Sequence, residues 1–332
     1  MLLERHGLVF SVVATRSKMR EAGLWRAKRP SVRFHPPRAR PPRFGALVQI
    51  DGSPHDWFEG RAPRCTLLVF VDDATSRIQA ARFVAAETTA GYMALVGEYI
   101  GRHGLPQAFY SDRHSIFRVN AAESAKSSLT QFGRALGELG IEGICANSPQ
   151  AKGRVERANG ILQDRLVKLM RLAGIASWEA GNAFLPAFLA DYNSRFGRPP
   201  EEPEDAHAPA CPAEQLRGIL CQKESRKLSR QLTCQYHQQW LRILAPKGWE
   251  RRLVGAQVEI RAHLDGKLEV RQGDRVLAYE LLAARPQAPV ADAKVVQARP
   301  APAKPAPNHP WRQPVPPAAA ARVMAERNSA RP

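Results

Sequence analysis

The chain has 332 residues, 44% of them hydrophobic, and its 49 Lys and Arg against 31 Asp and Glu leave a formal net charge of +18. That length suffices for two or three folded units with a sizeable core, and the charge favours a polyanionic partner, nucleic acid before an acidic membrane surface. No run of about 18 apolar residues and no signal-peptide layout occurs, which argues against a membrane-spanning or exported protein; the five scattered cysteines, with no Cys-x-x-Cys pair, read as reduced thiols of a cytoplasmic protein rather than a disulfide frame or zinc site.

Residues 1–45 hold eleven Lys and Arg and two acids. Residues 11–25 read as a short basic helix stopped near Gly23, and residues 26–43 as a Pro/Arg-rich linker suited to a phosphate backbone. From residue 46 the pattern changes and the charge becomes nearly balanced. Residues 46–50, 65–72 and 78–84 read as three strands, with Gly52 and Gly60 as turn residues between the first two. Tyr92, Leu95, Val96 and Tyr99 form a helical stripe over residues 88–103, closed by Gly104 and Pro106. A strand at 107–110, a helix at 130–139, a strand at 141–146 and helices at about 150–172 and 177–193 follow. Three neighbouring strands and then alternating helices and strands describe an α/β layer whose sheet is antiparallel first and parallel later.

Pro-, Glu- and Ala-rich residues 196–212 form the next boundary. Short alternating segments at 233–236, 257–262, 267–271 and 276–280, with Asp265-Gly266 as a hairpin turn, predict a small SH3-like β-barrel over about 222–284. Residues 285–332 are Pro/Ala-rich, of low complexity, and read as a disordered tail.

Three acidic residues stand out on these elements: Asp51 and Asp112 at strand ends and Glu156 near the start of a helix. Carboxylates from two strands and a helix can share a pair of hard divalent cations, which act by clamping the attacking and leaving oxygens of an in-line phosphoryl transfer. A lone Asp after a strand is more often a turn former or helix cap; the combination carries the signal. Asp72 and Asp73 also end a strand, but Asp72-Asp73-Ala74-Thr75 reads as a tight turn.

Four stretches in this order resemble the DDE transposases and retroviral-type integrase catalytic cores, in particular bacterial insertion-sequence transposases of the ISNCY group. They are Gln49-Ile50-Asp51-Gly52-Ser53-Pro54-His55-Asp56-Trp57-Phe58, Val69-Phe70-Val71-Asp72-Asp73-Ala74-Thr75, Tyr110-Ser111-Asp112-Arg113-His114-Ser115-Ile116-Phe117, and the run from Ala146-Asn147-Ser148-Pro149 to Asn159. With their connections they cover residues 46–200, and the barrel extends the likeness toward 285. The resemblance implies an RNase H-like core with a mixed five-stranded sheet flanked by helices. It further implies that Asp51, Asp112 and Glu156 bind two Mg²⁺ ions, with Mn²⁺ able to substitute. The activity it implies is strand cleavage at transposon ends followed by attack of the 3′-hydroxyl on target DNA.

Lys152, Asn159 and Gln163 lie at i−4, i+3 and i+7 from Glu156 and share its helical face. They, with Arg154, are the expected DNA contacts, while Arg157 and Arg165 add charge on neighbouring faces. The longer spacing between Asp112 and Glu156 is expected to be absorbed by a surface loop at 119–128. His55, Trp57 and His114 fall close to the expected site. Members of the group carry helix-turn-helix units ahead of the core; residues 1–45 read as a remnant of such a region. Double-stranded DNA and further copies of the chain are the expected partners. A nuclease without strand transfer, or an inactive DNA-binding repressor, would fit the same residues.

Overall fold

The structure, a computed structural model, describes residues 7, 11–25, 39–112, 116, 130–145, 153–283 and 309. Helix α1 (Val12–Glu21) opens on Ser11, whose hydroxyl accepts from the Ala14 N–H, and buries none of its residues. The first sheet starts with β1 (Val48–His55), β2 (Cys65–Asp72) and β3 (Ile78–Val84), each antiparallel to the next. Helix α2 (Thr89–His103), capped by Thr88, leads to β4 (Ala108–Ser111), and α3 (Gln131–Glu138), capped by Thr130, leads to β5 (Glu142–Cys145). Strand β4 lies parallel to both β1 and β5. The spatial order is β3-β2-β1-β4-β5, followed in the chain by α4 (Gly153–Leu172) and α5 (Trp178–Phe196). Helices cover both faces, and this is the RNase H-like arrangement that the sequence pattern predicts.

Each sheet face has its own core. Val48, Ile50, Leu68 and Phe70 point one way, into a cluster with Tyr92, Val96 and Tyr99 of α2 and Phe132 and Leu136 of α3. Leu67, Val69 and Val71 point the other way, against Val155, Leu162 and Leu166 of α4 and Leu185 and Phe188 of α5. Strand β2 is buried along its whole length, as an unbroken apolar run between two helical layers should be. Each fully buried Leu, Val or Phe contributes roughly 1.5–3 kcal/mol of transfer free energy.

Helix α6 (Ala213–Ile219) precedes β6 (Cys221–Lys227), β7 (Thr233–Tyr236), β8 (Gln239–Leu244), α7 (Glu250–Leu253), β9 (Gln257–His263), β10 (Leu268–Gln272) and β11 (Arg275–Leu282). The six strands run β6-β9-β10-β11-β8-β7 around a separate core that includes Leu241, Val258, Ile260 and Val270. This is the expected SH3-like barrel, with two more strands than the alternation pattern marks. Strand β6 reads Cys-Gln-Lys-Glu-Ser-Arg-Lys and has almost no apolar alternation. Pairing along its length with β9 makes it a strand. Gly52 also differs from expectation: it is no turn but lies inside β1, opposite Leu68.

The described residues up to Glu280 form one compact unit. Within that unit α3 clasps the start of the barrel. The Gln131 carboxamide accepts from the Lys223 N–H at 3.0 Å and donates to its carbonyl at 2.8 Å, as a neighbouring strand would. Arg134 donates to the carbonyls of Ile219 (3.2 Å) and Cys221 (2.5 Å). Glu138 accepts from Arg134 at 2.7 Å and from the Lys223 ammonium at 2.6 Å, while Ile219 and Leu220 enter the α2–α3 core.

Burial alone would raise the Glu138 pKa, but the hydrogen bonds and charges of Lys223 and Arg134 together hold it below the usual range. A carboxyl held low in the fold stabilises it above the unfolded pKa and loses that contribution as pH falls through the folded one. Glu138→Gln should therefore lower the melting temperature at neutral pH. The gap from wild type should narrow as pH drops below about 4.3, the ordinary glutamate value. A pH series of thermal melts checks this, and a pH-independent gap would contradict it.

Candidate active site

Successive residues of β1 face opposite sides of the sheet. Val48 and Ile50 enter the α2 side, so Gln49, Asp51 and Ser53 face α4. Each meets one group on that helix. Gln49 Oε1 accepts from the Val155 N–H at 3.0 Å, Asp51 Oδ2 accepts from Asn159 Nδ2 at 2.8 Å, and Ser53 Oγ accepts from Gln163 Nε2 at 3.0 Å. Two strand residues advance about 6.6 Å and four helical residues about 6.0 Å, so i, i+2, i+4 on the strand matches i, i+4, i+8 on the helix. The first rung also caps α4, since an N–H in the opening turn of a helix has no intrahelical acceptor.

The parallel register fixes the second aspartate. Gln49 pairs with Tyr110 across β1 and β4. Asp51 lies two residues further along β1, and Asp112 follows directly after the last residue of β4, so both acids come off the same end of the parallel pair. Tyr92, on α2, senses both acids. Its phenol is pushed well above the ordinary range, first by burial, then by the charge and hydrogen bond of Glu87, then by the charges of Asp51 and Asp112. The Tyr92 hydroxyl donates to Glu87 Oε1 at 2.7 Å. A Cβ built on Gly52 would sit 2.6 Å from Glu87 Oε2, so the missing side chain of Gly52 makes room for that carboxylate beside Asp51. Sequence reasoning missed Glu87 and Tyr92. No local signal marked them, because the adjoining Gly52 reads as a turn residue in the sequence.

Glu156 is exposed on the first turns of α4, three residues before Asn159 and therefore on nearly the same helical face. Among the described residues, no group of three or more His, Cys, Asp or Glu side chains is gathered closely enough to hold a metal ion. Lys152, His114 and the loop expected at 119–128 lie outside the described residues. Asn159 is buried, and its Oδ1 has no hydrogen-bond partner among the described residues. An oxygen-only donor set suits Mg²⁺, which needs one or two carboxylates and keeps several waters. A buried acceptor next to Asp51 suits one of those waters.

The remaining expected residues divide. Gln163 is on the ladder. Arg154 spans both oxygens of the fully buried Asp73 at 2.8 and 2.9 Å, and Gln49 Nε2 donates to the same carboxylate at 2.5 Å. Asp72 accepts from the N–H groups of Gly45 (3.0 Å) and Thr75 (2.8 Å) and from the Thr75 hydroxyl (2.6 Å). These acids hold the β2–β3 turn, as the turn reading has it. Trp57 is fully buried, donating to the Ser53 carbonyl at 2.9 Å, with His55 edge-on to its ring at 5.3 Å. No helix among the described residues is long and apolar enough to cross a membrane.

The sheet order is that of an RNase H-like domain, with acids on β1, after β4 and on α4. The chain is similar in sequence to two bacterial transposases. It is 47% identical over 283 residues to the putative transposase y4bF of Sinorhizobium fredii (strain NBRC 101917 / NGR234), covering 84% of this chain and 62% of that protein. It is 38% identical over 169 residues to the transposase for insertion sequence IS1202 of Streptococcus pneumoniae, covering 50% of this chain and 36% of that one. The chain thus spans less than two thirds of the length of these curated relatives. Among solved structures it is similar to the simian T-cell lymphotropic virus intasome in complex with PP2A regulatory subunit B56 gamma, with a TM-score of 0.39 and 17% identity, over 74% of this chain and 84% of that one. No family model matches the chain.

Removing Arg154 would leave Asp73 charged, buried and short of its cation. Breaking one side of a buried pair costs about 3–5 kcal/mol. Arg154→Ala should therefore destabilise the fold by about that amount in denaturant melts; a change below about 1 kcal/mol would show that the pair is not structural.

Proposed function

We propose that the protein is a DDE-type transposase, a polynucleotidyl transferase that cleaves DNA strands at the ends of an insertion sequence and joins them to target DNA. The observation that supports the reading is that Asp51 on β1 and Asp112 just past the end of the parallel strand β4 leave the sheet at the same end, with Asp51 tied to Asn159 one helical turn from Glu156. In this reading residues 46–200 are the catalytic core and 222–284 a DNA-binding barrel. Asp51, Asp112 and Glu156 would hold two divalent cations, Mg²⁺ with Mn²⁺ able to substitute. When bound, such a pair eases deprotonation of water or a 3′-hydroxyl and steadies the leaving oxygen.

The protein's own groups contribute orientation. Asn159 fixes the orientation of Asp51 by donating to one of its carboxylate oxygens. Gln49, through Val155, holds the opening turn of α4 in one place, so Glu156 is presented from a fixed backbone. Lys152, Arg154, Asn159 and Gln163 are the candidate DNA contacts in this reading, and of these Arg154, Asn159 and Gln163 already bond to Asp73, Asp51 and Ser53 in the protein alone. The excess of positive charge supplies attraction to the duplex before any base is read. Joining two ends in one event calls for more than one copy of the chain, and the reaction belongs in the bacterial cytoplasm, at the nucleoid.

Incubating the protein with a pre-cut donor end, supercoiled target and Mg²⁺ should yield joined products. Asp51→Asn, Asp112→Asn and Glu156→Gln should each reduce joining by well over ~100-fold, since even groups that only orient a metal's ligands typically cost 10–100-fold. All three should keep their DNA affinity. Release of hydrolysed strands with no joined product would replace this reading with a nuclease. Duplex binding without any cleavage would replace it with a repressor.

A further inference from the structure

A second, strongly basic locus lies at the β2–β3 turn, where the linker, the start of α4 and the end of α5 converge. Arg40 Nη1 donates to the carbonyls of Asp73 (3.1 Å) and Ala74 (3.0 Å) and to Ser76 Oγ (2.9 Å). Arg154 meets the same turn through Asp73. The Arg198 N–H donates to the Thr75 carbonyl at 3.0 Å, just past the end of α5. Arg77 leans along that end, because a Cβ on Gly197 would sit 2.8 Å from Arg77 Cγ. Arg157, one helical turn beyond Arg154, is exposed, as are Arg77 and Arg198.

Both carboxylates of the turn are directed inward. Asp72 serves Gly45 and Thr75, and Asp73 serves Gln49 and Arg154, and both are fully buried. The outer guanidinium groups therefore crowd one another over buried acids. Arg40 registers this: its pKa is lowered first by burial, then by the charges of Arg154 and Arg198, with Arg157 adding to them and Asp73 opposing. A cluster that repels itself in the free protein gains most from an external anion. Planar guanidinium groups match phosphate oxygens in geometry as well as charge.

The geometry points to a phosphodiester-binding surface formed by Arg40, Arg77, Arg157 and Arg198 around the β2–β3 turn, seating the backbone of duplex DNA through groups other than the carboxylates. The assignment of DNA as the ligand rests on the transposase reading. The surface contacts no base edge in this view, so it would add affinity without sequence preference.

The test is binding of a labelled duplex by the full chain, followed by fluorescence anisotropy over a range of NaCl concentrations. The double variant Arg157→Ala/Arg198→Ala removes two exposed cations and leaves the Arg40 and Arg154 contacts in place. Each arginine withdrawn from a phosphate should lower the slope of log affinity against log salt by about 0.9, and the pair by roughly 2, for every duplex sequence alike. Arg157→Lys/Arg198→Lys should recover most of the slope. Arg102→Ala, which removes one exposed charge on α2, should leave it unchanged.

A double alanine variant with wild-type slope and wild-type melting temperature would overturn the proposal, as would an equal drop in slope from Arg102→Ala. Wild-type protein that binds no duplex would overturn both this surface and the transposase reading. Binding that depends on the arginines, in a protein that joins no strands, would remove the transposase reading and leave the surface standing.

Discussion

The candidate site depends on the polar ladder between β1 and α4. A helix packed on a sheet by apolar contacts alone can rotate or slide by a fraction of a turn at little cost. Gln49, Asp51 and Ser53 remove that freedom, because each rung has a directional hydrogen bond to a different turn of the helix. The ladder is bordered by apolar packing of Val155, Leu162 and Leu166 against Leu67, Val69 and Val71. Dispersion and burial hold the layers together, and the three polar rungs decide which residue of α4 lies beside which acid.

The ladder is continuous with the turn that carries the arginines. Gln49 bonds to both Val155 and Asp73, and Asp73 holds Arg154 on the opening turn of α4. A single glutamine side chain thus joins the strand of Asp51, the β2–β3 turn and the helix of Glu156. Its complete burial requires that its polar atoms be matched, and they are. Groups that hold the acids in place and groups suited to hold phosphates are built on one hydrogen-bonded network. The clasp of α3 on Lys223 does similar work for the barrel, replacing a loose tether with defined partners.

Much of the sheet was legible because its strands and helices carry clean apolar periodicities. Residues 65–72 could hardly be anything but a strand buried on both faces, and the stripe of Tyr92, Leu95, Val96 and Tyr99 specified α2. Motif order suggested the acids of the site. The less legible parts owe their structure to distant partners. Strand β6 is polar and exists because β9 and Gln131 satisfy its edges. Gly52 resembled a turn residue because local sequence cannot reveal that Glu87, 35 positions later, needs its space. Arg154 looked like a surface cation until Asp73, 81 residues away, proved to be beneath it.

The matching of strand and helix on the ladder has a limit built into it. Two scales of slightly different pitch behave as a vernier: their marks coincide over a short stretch and then drift apart. At about 6.6 against 6.0 Å per step, the two intervals among three rungs accumulate about 1.2 Å, still within what side-chain torsions absorb. A fourth rung would set His55 against Val167, and there the helix has already turned to hydrocarbon. The zone of tight alignment is therefore centred on its middle mark, Asp51, where the tolerance for misplacement is smallest.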